Sequence, residues 1–135
     1  MPNRRDLLKV APFFAAVAAA QGAKLPNATM SAAQAKLIKE PFGDHHVYFE
    51  GPTDQLKSMT AGSLRLNAGA TPHPPHDHSE EEFMVITEGT GEIVLDGKTT
   101  KVAPGAIMYS AAGKTHGILN TGKTPLTFYY FKWTK

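Results

Sequence analysis

His76 and His78, two histidines separated by a single residue, have the spacing in this sequence that most clearly predicts chemistry. On an extended chain, side chains two residues apart leave the same face, so both imidazoles can reach one ion. Glu82 follows after Ser79-Glu80-Glu81 and opens an apolar run, where a carboxylate is costly to bury without a partner such as a metal. Imidazole and carboxylate together suit Mn, Fe, Ni, Cu or Zn better than Ca or Mg.

Other polar residues near this segment have more ordinary interpretations. Glu80 and Glu81 fit a solvated turn, although either would replace Glu82 as a ligand if the register slipped by one residue. His73 fits a solvated loop or the rim of a pocket. The pair His45-His46 follows no spacing rule, so the sequence assigns it no function.

Short β-compatible runs separated by turn residues must position these side chains. Twelve Gly, 10 Pro and 19% charged residues indicate many turns and few long helices. Asp96-Gly97 is the strongest hairpin signal. Because few runs are continuously apolar, we expect an antiparallel sandwich or barrel with one solvated face. The predicted strands are 47–50, 55–60, 63–67, 82–88, 92–95, 99–102, 106–109, 117–119 and 126–133.

Two spaced motifs in this region resemble those of the cupins, which are small β-barrel or jelly-roll domains. The first motif spans Gly69, His76-Asp77-His78, Glu82 and Gly89, with one residue more than usual before the histidines. Its order of ligand types and its later spacings agree with the family pattern.

The second motif follows in the expected order. It spans Gly105, Ala111-Ala112-Gly113, His116 and Asn120, with Ala111 where the family has Pro. This departure affects a turn and no ligand. The resemblance implies a single-domain cupin β-barrel, or double-stranded β-helix.

In cupins, the two His and the Glu of the first motif and the His of the second bind one divalent metal inside the barrel. The resemblance therefore implies a metal set of His76, His78, Glu82 and His116. Strand parity then predicts that residues two and four positions after Glu82 and His116 also face inward. These residues are Met84, Ile86, Ile118 and Asn120.

The first residues have the order of an export signal. Arg4-Arg5 and Lys9 precede an uncharged apolar run that ends in small residues at Ala18 to Ala20. The run is shorter than the roughly 20 residues needed to span a bilayer. Arg4 to Lys9 resembles a twin-arginine signal, so we expect residues 1–20 to be removed and the protein to be periplasmic. We expect an N-terminal arm over 21–45, with one helical turn within 31–39, and a barrel over 46–135.

Composition excludes several classes of protein. The 135 residues fit one domain, and the absence of cysteine excludes a disulfide scaffold, a thiolate metal site and a cysteine nucleophile. The net charge of +2 belongs to the leader, because removal of residues 1–20 leaves equal numbers of basic and acidic residues. We therefore expect no nucleic-acid partner and no stable membrane association after cleavage.

The resemblance implies an enzyme that uses one metal ion on a small oxygen-containing molecule, such as a carboxylate, keto acid, sugar or phenolic compound. Dioxygenation and Lewis-acid isomerase or lyase chemistry are both open. The alternative is a cupin module that binds a small molecule or metal without turnover. No residue is assigned a catalytic role, and we expect a homodimer. The side chains that could orient a substrate, although each also fits ordinary core, rim or contact roles, are Arg65, Tyr109, Phe128, Tyr130 and Trp133.

Overall fold

The structure is a computed structural model that describes residues 17–18 and 23–135. These residues form strands and turns, without a helix among them, so the predicted all-β class is confirmed. The strands are β1 (Val17–Ala18), β2 (Lys36–Glu40), β3 (Gly43–Gly51), β4 (Ser58–Leu66), β5 (Glu81–Glu88), β6 (Gly91–Leu95), β7 (Lys98–Val102), β8 (Ile107–Ser110), β9 (His116–Leu119) and β10 (Leu126–Thr134).

The strands form two sheets. The larger sheet has the order β1-β3-β4-β10-β5-β8, with β2 paired to β3, and the smaller sheet has the order β7-β6-β9. Every pair is antiparallel except β1 with β3. Strands that are distant in sequence, such as β4 and β10, lie side by side at the centre of the larger sheet. The two predicted motifs lie on different sheets, because β5 of the first motif belongs to the larger sheet and β9 of the second motif belongs to the smaller one.

The hydrophobic core lies between the two sheets. Every second residue of β5 and of β10 faces this core, which is the period-2 pattern of a sheet with one buried face. The smaller sheet contributes Ile93 and Ile118 to the same cluster. The larger sheet contributes Leu64, Leu66, Met84, Ile86, Met108, Leu126, Phe128 and Tyr130.

The predicted hairpin at Asp96-Gly97 is confirmed. These two residues connect β6 to β7, with Leu95 paired to Lys98. Both have positive φ, 50° at Asp96 and 84° at Gly97, as a type I′ turn requires. The Asp-Gly sequence thus fixes the register of the smaller sheet.

The prediction of a break between strands 55–60 and 63–67 is wrong, because β4 is continuous over Ser58–Leu66. Gly62, which lies between the two predicted strands, is at a close approach to neighbouring groups. A Cβ there would lie 2.6 Å from the backbone oxygen of His46 and 2.6 Å from the Tyr130 hydroxyl. Glycine is needed inside this strand because neighbouring groups already occupy the space.

Strand structure begins earlier than the predicted boundary at residue 46. The single turn within 31–39 closes at Ala35, whose amide donates to Ser31 O, and β2 starts immediately afterwards. Pro41 and Gly43 suggested a loop, but they flank the tight turn between β2 and β3. The predicted arm over 21–45 therefore contains a hairpin of the larger sheet. Its exposed edge strand lacks the apolar alternation that would have revealed it.

The predicted signal segment, residues 1–20, lies outside the described residues except for Val17–Ala18. Within the part of the chain that the structure describes, no helix is long and apolar enough to cross a membrane. The predicted export and dimerisation stay predictions.

Candidate metal centre

Different elements carry the four predicted ligands. His76 and His78 lie on the loop between β4 and β5, Glu82 near the start of β5, and His116 at the start of β9. The backbones of His76 and His116 form an antiparallel bridge, with N to O distances of 2.9 and 2.8 Å. This bridge fixes the loop of the first motif against the strand of the second.

The three imidazoles converge on one point. One nitrogen from each of His76, His78 and His116 lies within 4.8 Å of the other two. The ring planes are nearly perpendicular in pairs, and their centroids are 4.8 to 5.2 Å apart. Glu82 joins the group because its Oε1 lies 2.9 Å from His78 Nε2 and 3.3 Å from His116 Nε2. The structure therefore brings the four predicted residues together.

Neighbouring groups orient two of the rings. His78 Nδ1 lies 3.0 Å from Glu80 O, and His116 Nδ1 lies 3.1 Å from both Lys114 O and Ser110 Oγ. A carbonyl oxygen only accepts, so a proton on each Nδ1 makes these bonds, and the Nε2 atoms, which face Glu82, are the nitrogens left to bind a metal. Metal-ligating histidines are commonly held this way, by a hydrogen bond through the other ring nitrogen.

The interior of the cluster has a polar atom without a hydrogen-bond partner. His116 Nε2 is fully buried, and its contact with Glu82 Oε1, although within ion-pair distance, lacks hydrogen-bond geometry. Glu82 itself is only 5% exposed. A buried carboxylate among imidazole nitrogens is stabilised by positive charge, which a divalent transition metal bound in place of protons would supply. The residues therefore fit such an ion.

The pKa shifts differ among the clustered residues. Burial, with help from neighbouring imidazoles, lowers the pKa of His76 to about 4, so this ring is neutral. Burial would raise the pKa of Glu82, but its contacts with His116 and His78 outweigh burial and lower it below its usual range. The contact with Glu82 raises the pKa of His116. In the absence of a metal, a proton on His116 provides the missing positive charge.

A cavity of about 190 Å³ opens beside the cluster. Its walls are mainly apolar, and the parity prediction is confirmed, since Met84, Ile86, Ile118 and Asn120 are all buried. His73 lines the cavity and stacks on His76 with ring centroids 3.7 Å apart, as a residue of the rim. The apolar residues that line the cavity are Phe42, Leu64, Pro72, Met84, Ile118 and Phe128.

The alternative ligands in the glutamate run point elsewhere. Glu81 accepts a hydrogen bond from the exposed Tyr109, and the Glu80 carboxylate faces Lys132. Of the side chains considered for substrate orientation, Phe128 and Tyr130 line the cavity. Arg65, Tyr109 and Trp133 do not, since Arg65 pairs with Glu88 and the two aromatic rings pack around Phe83.

His45, to which the sequence assigned no function, also lines the cavity. It lies on β3 and contacts Tyr130 across the cavity wall. The alternation of side chains along a strand could have suggested that His45 faces the cavity, but only once β3 was known to begin at Gly43 and to pair with β4.

The sequence from 62 to 131, just over half of the chain, matches the cupin domain family. The chain belongs to the cupin domain family. Both motifs lie within the matched region, as do the four clustered residues His76, His78, Glu82 and His116. The predicted cupin fold is confirmed.

This cupin resembles several known proteins. It is 32% identical over 60 residues to an uncharacterised protein of Streptomyces coelicolor, covering 44% of this chain and 56% of the relative. The chain thus spans little more than half of that relative's length. Among solved structures, KdgF from Halomonas sp. matches with a TM-score of 0.67 at 17% identity, covering 82% of this chain and 96% of that one.

Two further solved structures have the same fold. The polyketide cyclase RemF from Streptomyces resistomycificus gives a TM-score of 0.65 at 20% identity, covering 82% of this chain and 81% of that one. A protein of Thermotoga maritima described as a predicted oxalate decarboxylase gives 0.65 at 18% identity, covering 80% and 100%. At these identities, the likeness shows the fold alone.

Ser110 provides a test of ring orientation in the cupin site. Its hydroxyl lies 3.1 Å from His116 Nδ1 and is buried. We expect Ser110→Ala to lower metal affinity by about tenfold, because partners of ligating histidines contribute about 10- to 100-fold. Isothermal titration with Zn²⁺ measures this change. Ser63→Ala, at another buried serine that does not line the cavity, is the matched control; equal affinity in the two variants would contradict the role of Ser110.

The raised pKa of His116 predicts that protons compete with metal for the site. His76, with a pKa of about 4, does not take part near neutral pH. Below the pKa of His116, which contact with Glu82 raises above its ordinary value, each metal ion must displace at least one proton, so affinity falls by at least about tenfold per pH unit as pH decreases. Metal titrations at several pH values check this dependence. Affinity that stays constant through this range would contradict it.

Proposed function

We propose that this cupin holds one divalent transition metal, drawn from Mn, Fe, Ni, Cu and Zn, through His76, His78, Glu82 and His116. The observation that carries the proposal is the convergence of three imidazole nitrogens within 4.8 Å, with a buried carboxylate in contact with two of the rings. The cavity beside this cluster is where a ligand would reach the metal.

We further propose that the protein is an enzyme acting on a small oxygen-containing molecule. When bound, the metal would supply Lewis-acid polarisation of a ligand oxygen or, if redox-active, reaction with dioxygen. The chain's own residues hold the four proposed metal ligands in place and surround a bound small molecule with apolar side chains that exclude water. The cavity of about 190 Å³ fits a small molecule and excludes a polymer.

Two neighbours in fold support the enzymatic reading as a proposal. RemF is named a polyketide cyclase, and the Thermotoga maritima protein is described as a predicted oxalate decarboxylase. Both names denote chemistry on small molecules that contain oxygen. Since these proteins share only the fold with this chain, their reactions indicate a class and no particular substrate.

The test combines metal content with turnover. The purified protein is loaded separately with each of the five metals and incubated with a panel of small carboxylates, keto acids, sugars and phenols. We expect about one ion per chain and turnover of at least one compound class, both lost in His78→Ala. His46→Ala, at a histidine outside the cavity lining, is the control and should retain both. Metal binding without any turnover would favour the non-catalytic binding module, and no metal binding would contradict the proposal.

We also propose that the protein is exported to the periplasm through a twin-arginine signal in residues 1–20. The support is the sequence Arg4-Arg5-Asp6-Leu7-Leu8-Lys9 before an apolar run with small residues at its end. We expect mass spectrometry of the periplasmic protein to show a chain that begins at residue 21. Full-length protein retained in the cytoplasm would contradict the proposal.

A further inference from the structure

A second polar group lies in the cavity wall, apart from the residues of the metal cluster. His45 Nε2 lies 2.8 Å from the Tyr130 hydroxyl, and both side chains line the cavity. Lys132 lines it too, with its Nζ 5.8 Å from the centre of the Tyr130 ring. In a cavity whose other walls are mainly apolar, three polar side chains grouped together call for an explanation.

The His45 to Tyr130 contact depends on a space made by Gly62. Tyr130 on β10 is paired with Gly62 on β4, while His45 comes from β3 on the other side of β4. The Tyr130 hydroxyl reaches His45 over this glycine, where a Cβ would lie only 2.6 Å from the hydroxyl oxygen. Three strands of the larger sheet thus combine to place this contact.

The Tyr130 hydroxyl has hydrogen-bonding capacity to spare. A phenol can donate one bond and accept two, and His45 is its one side-chain partner among the described residues. Burial lowers the pKa of His45 and raises that of Tyr130, so both are neutral near pH 7. If His45 Nε2 carries a proton and donates it to the hydroxyl oxygen, the Tyr130 O–H is free to donate to a ligand in the cavity.

Lys132 adds a positive charge beside the Tyr130 ring. Its Nζ forms an ion pair with Glu80 Oε1 at 3.9 Å, which is too long for a hydrogen bond, so its N–H donors can still bond a ligand although its charge is shared with that carboxylate. The side chain is about one-third exposed. An ammonium at the edge of an apolar cavity attracts an anion more strongly than it would in bulk water.

We propose that His45, Tyr130 and Lys132 form a carboxylate-binding subsite in the cavity wall. The Tyr130 hydroxyl donates to one ligand oxygen, Lys132 supplies the opposite charge, and His45 holds the hydroxyl in place. This inference rests on the proposed function, because it names the substrate class of the same cavity as a small carboxylate. Neutral sugars and uncharged phenols would gain no charge pairing with Lys132.

The probes are 4-fluorobenzoate and 4-fluorobenzamide, which differ in charge and little in shape. Fluorine NMR measures the binding of each probe when it is titrated into the metal-loaded protein. We expect the carboxylate to bind at least about tenfold more tightly than the amide, since charge-assisted hydrogen bonds are about twice as strong as neutral ones. Tyr130→Phe and Lys132→Gln should each remove most of this preference. Tyr129→Phe, at the neighbouring residue of β10 that does not line the cavity, should keep it.

Metal content of every variant separates failure of this inference from failure of the proposed function. Normal metal content with a lost carboxylate preference in Tyr130→Phe and Lys132→Gln supports the subsite. Equal binding of the two probes by the wild-type protein overturns it, as does a preference that survives both substitutions. A wild-type protein that takes up no metal contradicts the proposed metal site, and the same comparison of probes still decides the subsite.

Discussion

Replacing His116 with alanine should lower the affinity for a divalent transition metal by more than about 100-fold. Loss of a residue that merely orients a ligand costs about 10- to 100-fold, and His116 is itself a proposed ligand. It is 1% exposed, and its buried Nε2 has no hydrogen-bond partner. Its removal therefore leaves Glu82 without one of the two imidazoles that it contacts. Isothermal titration with Zn²⁺ and elemental analysis of the purified protein measure the loss.

Two further variants make this result interpretable. His116→Gln keeps most of the side-chain volume and so separates loss of a ligand from a packing defect. His73→Ala removes a ring that stacks on His76 at the rim of the cavity but is not one of the four proposed ligands. We expect the first variant to lose the metal and the second to keep most of it. Wild-type affinity in His116→Ala would contradict the assignment.

Replacing Asn120 with alanine should lower the free energy of unfolding by about 3 kcal/mol, because several buried backbone groups would lose their partner. Asn120 is completely buried. Its amide nitrogen lies within hydrogen-bonding distance of Leu66 O, Asn67 O and Thr124 O, and its side-chain oxygen accepts a bond from the Gly122 amide. Asn120, the last residue of the second motif, therefore connects the end of β4 to the loop before β10 through hydrogen bonds.

Urea denaturation of the metal-free protein measures the effect without a contribution from bound metal. Asn67→Ala is the matched control, because Asn67 is an exposed asparagine that likewise directly follows a strand, β4. We expect the control to change stability by less than about 0.5 kcal/mol. Equal stability of the two variants would show that the Asn120 hydrogen bonds contribute little.

The part of the cluster formed by His76, His78 and Glu82 could be predicted because its information is local. Two histidines at a spacing of two share a face on an extended chain, and strand parity then places Met84 and Ile86 beside Glu82. Resemblance to the family supplied His116, which lies far along the sequence. The turn at Asp96-Gly97 was also predictable, because its backbone conformation is a property of the two residues themselves.

The His45 and Tyr130 pair could not be predicted, because it depends on which strands are neighbours. β3, β4 and β10 come from both ends of the barrel sequence and meet only in the folded sheet. The continuity of β4 through Gly62 also depends on which strands are neighbours. From sequence, a glycine within an apolar run indicates a turn as readily as a close approach, and only the position of the Tyr130 hydroxyl distinguishes them.

The central claim is that one divalent metal binds among the four clustered residues. A crystal structure of the protein grown with Zn²⁺, with data collected on both sides of the zinc absorption edge, tests it most directly. We predict one strong anomalous peak, bonded at about 2.0–2.2 Å by His76, His78, Glu82 and His116. An anomalous peak elsewhere in the protein, with none at this cluster, would contradict it.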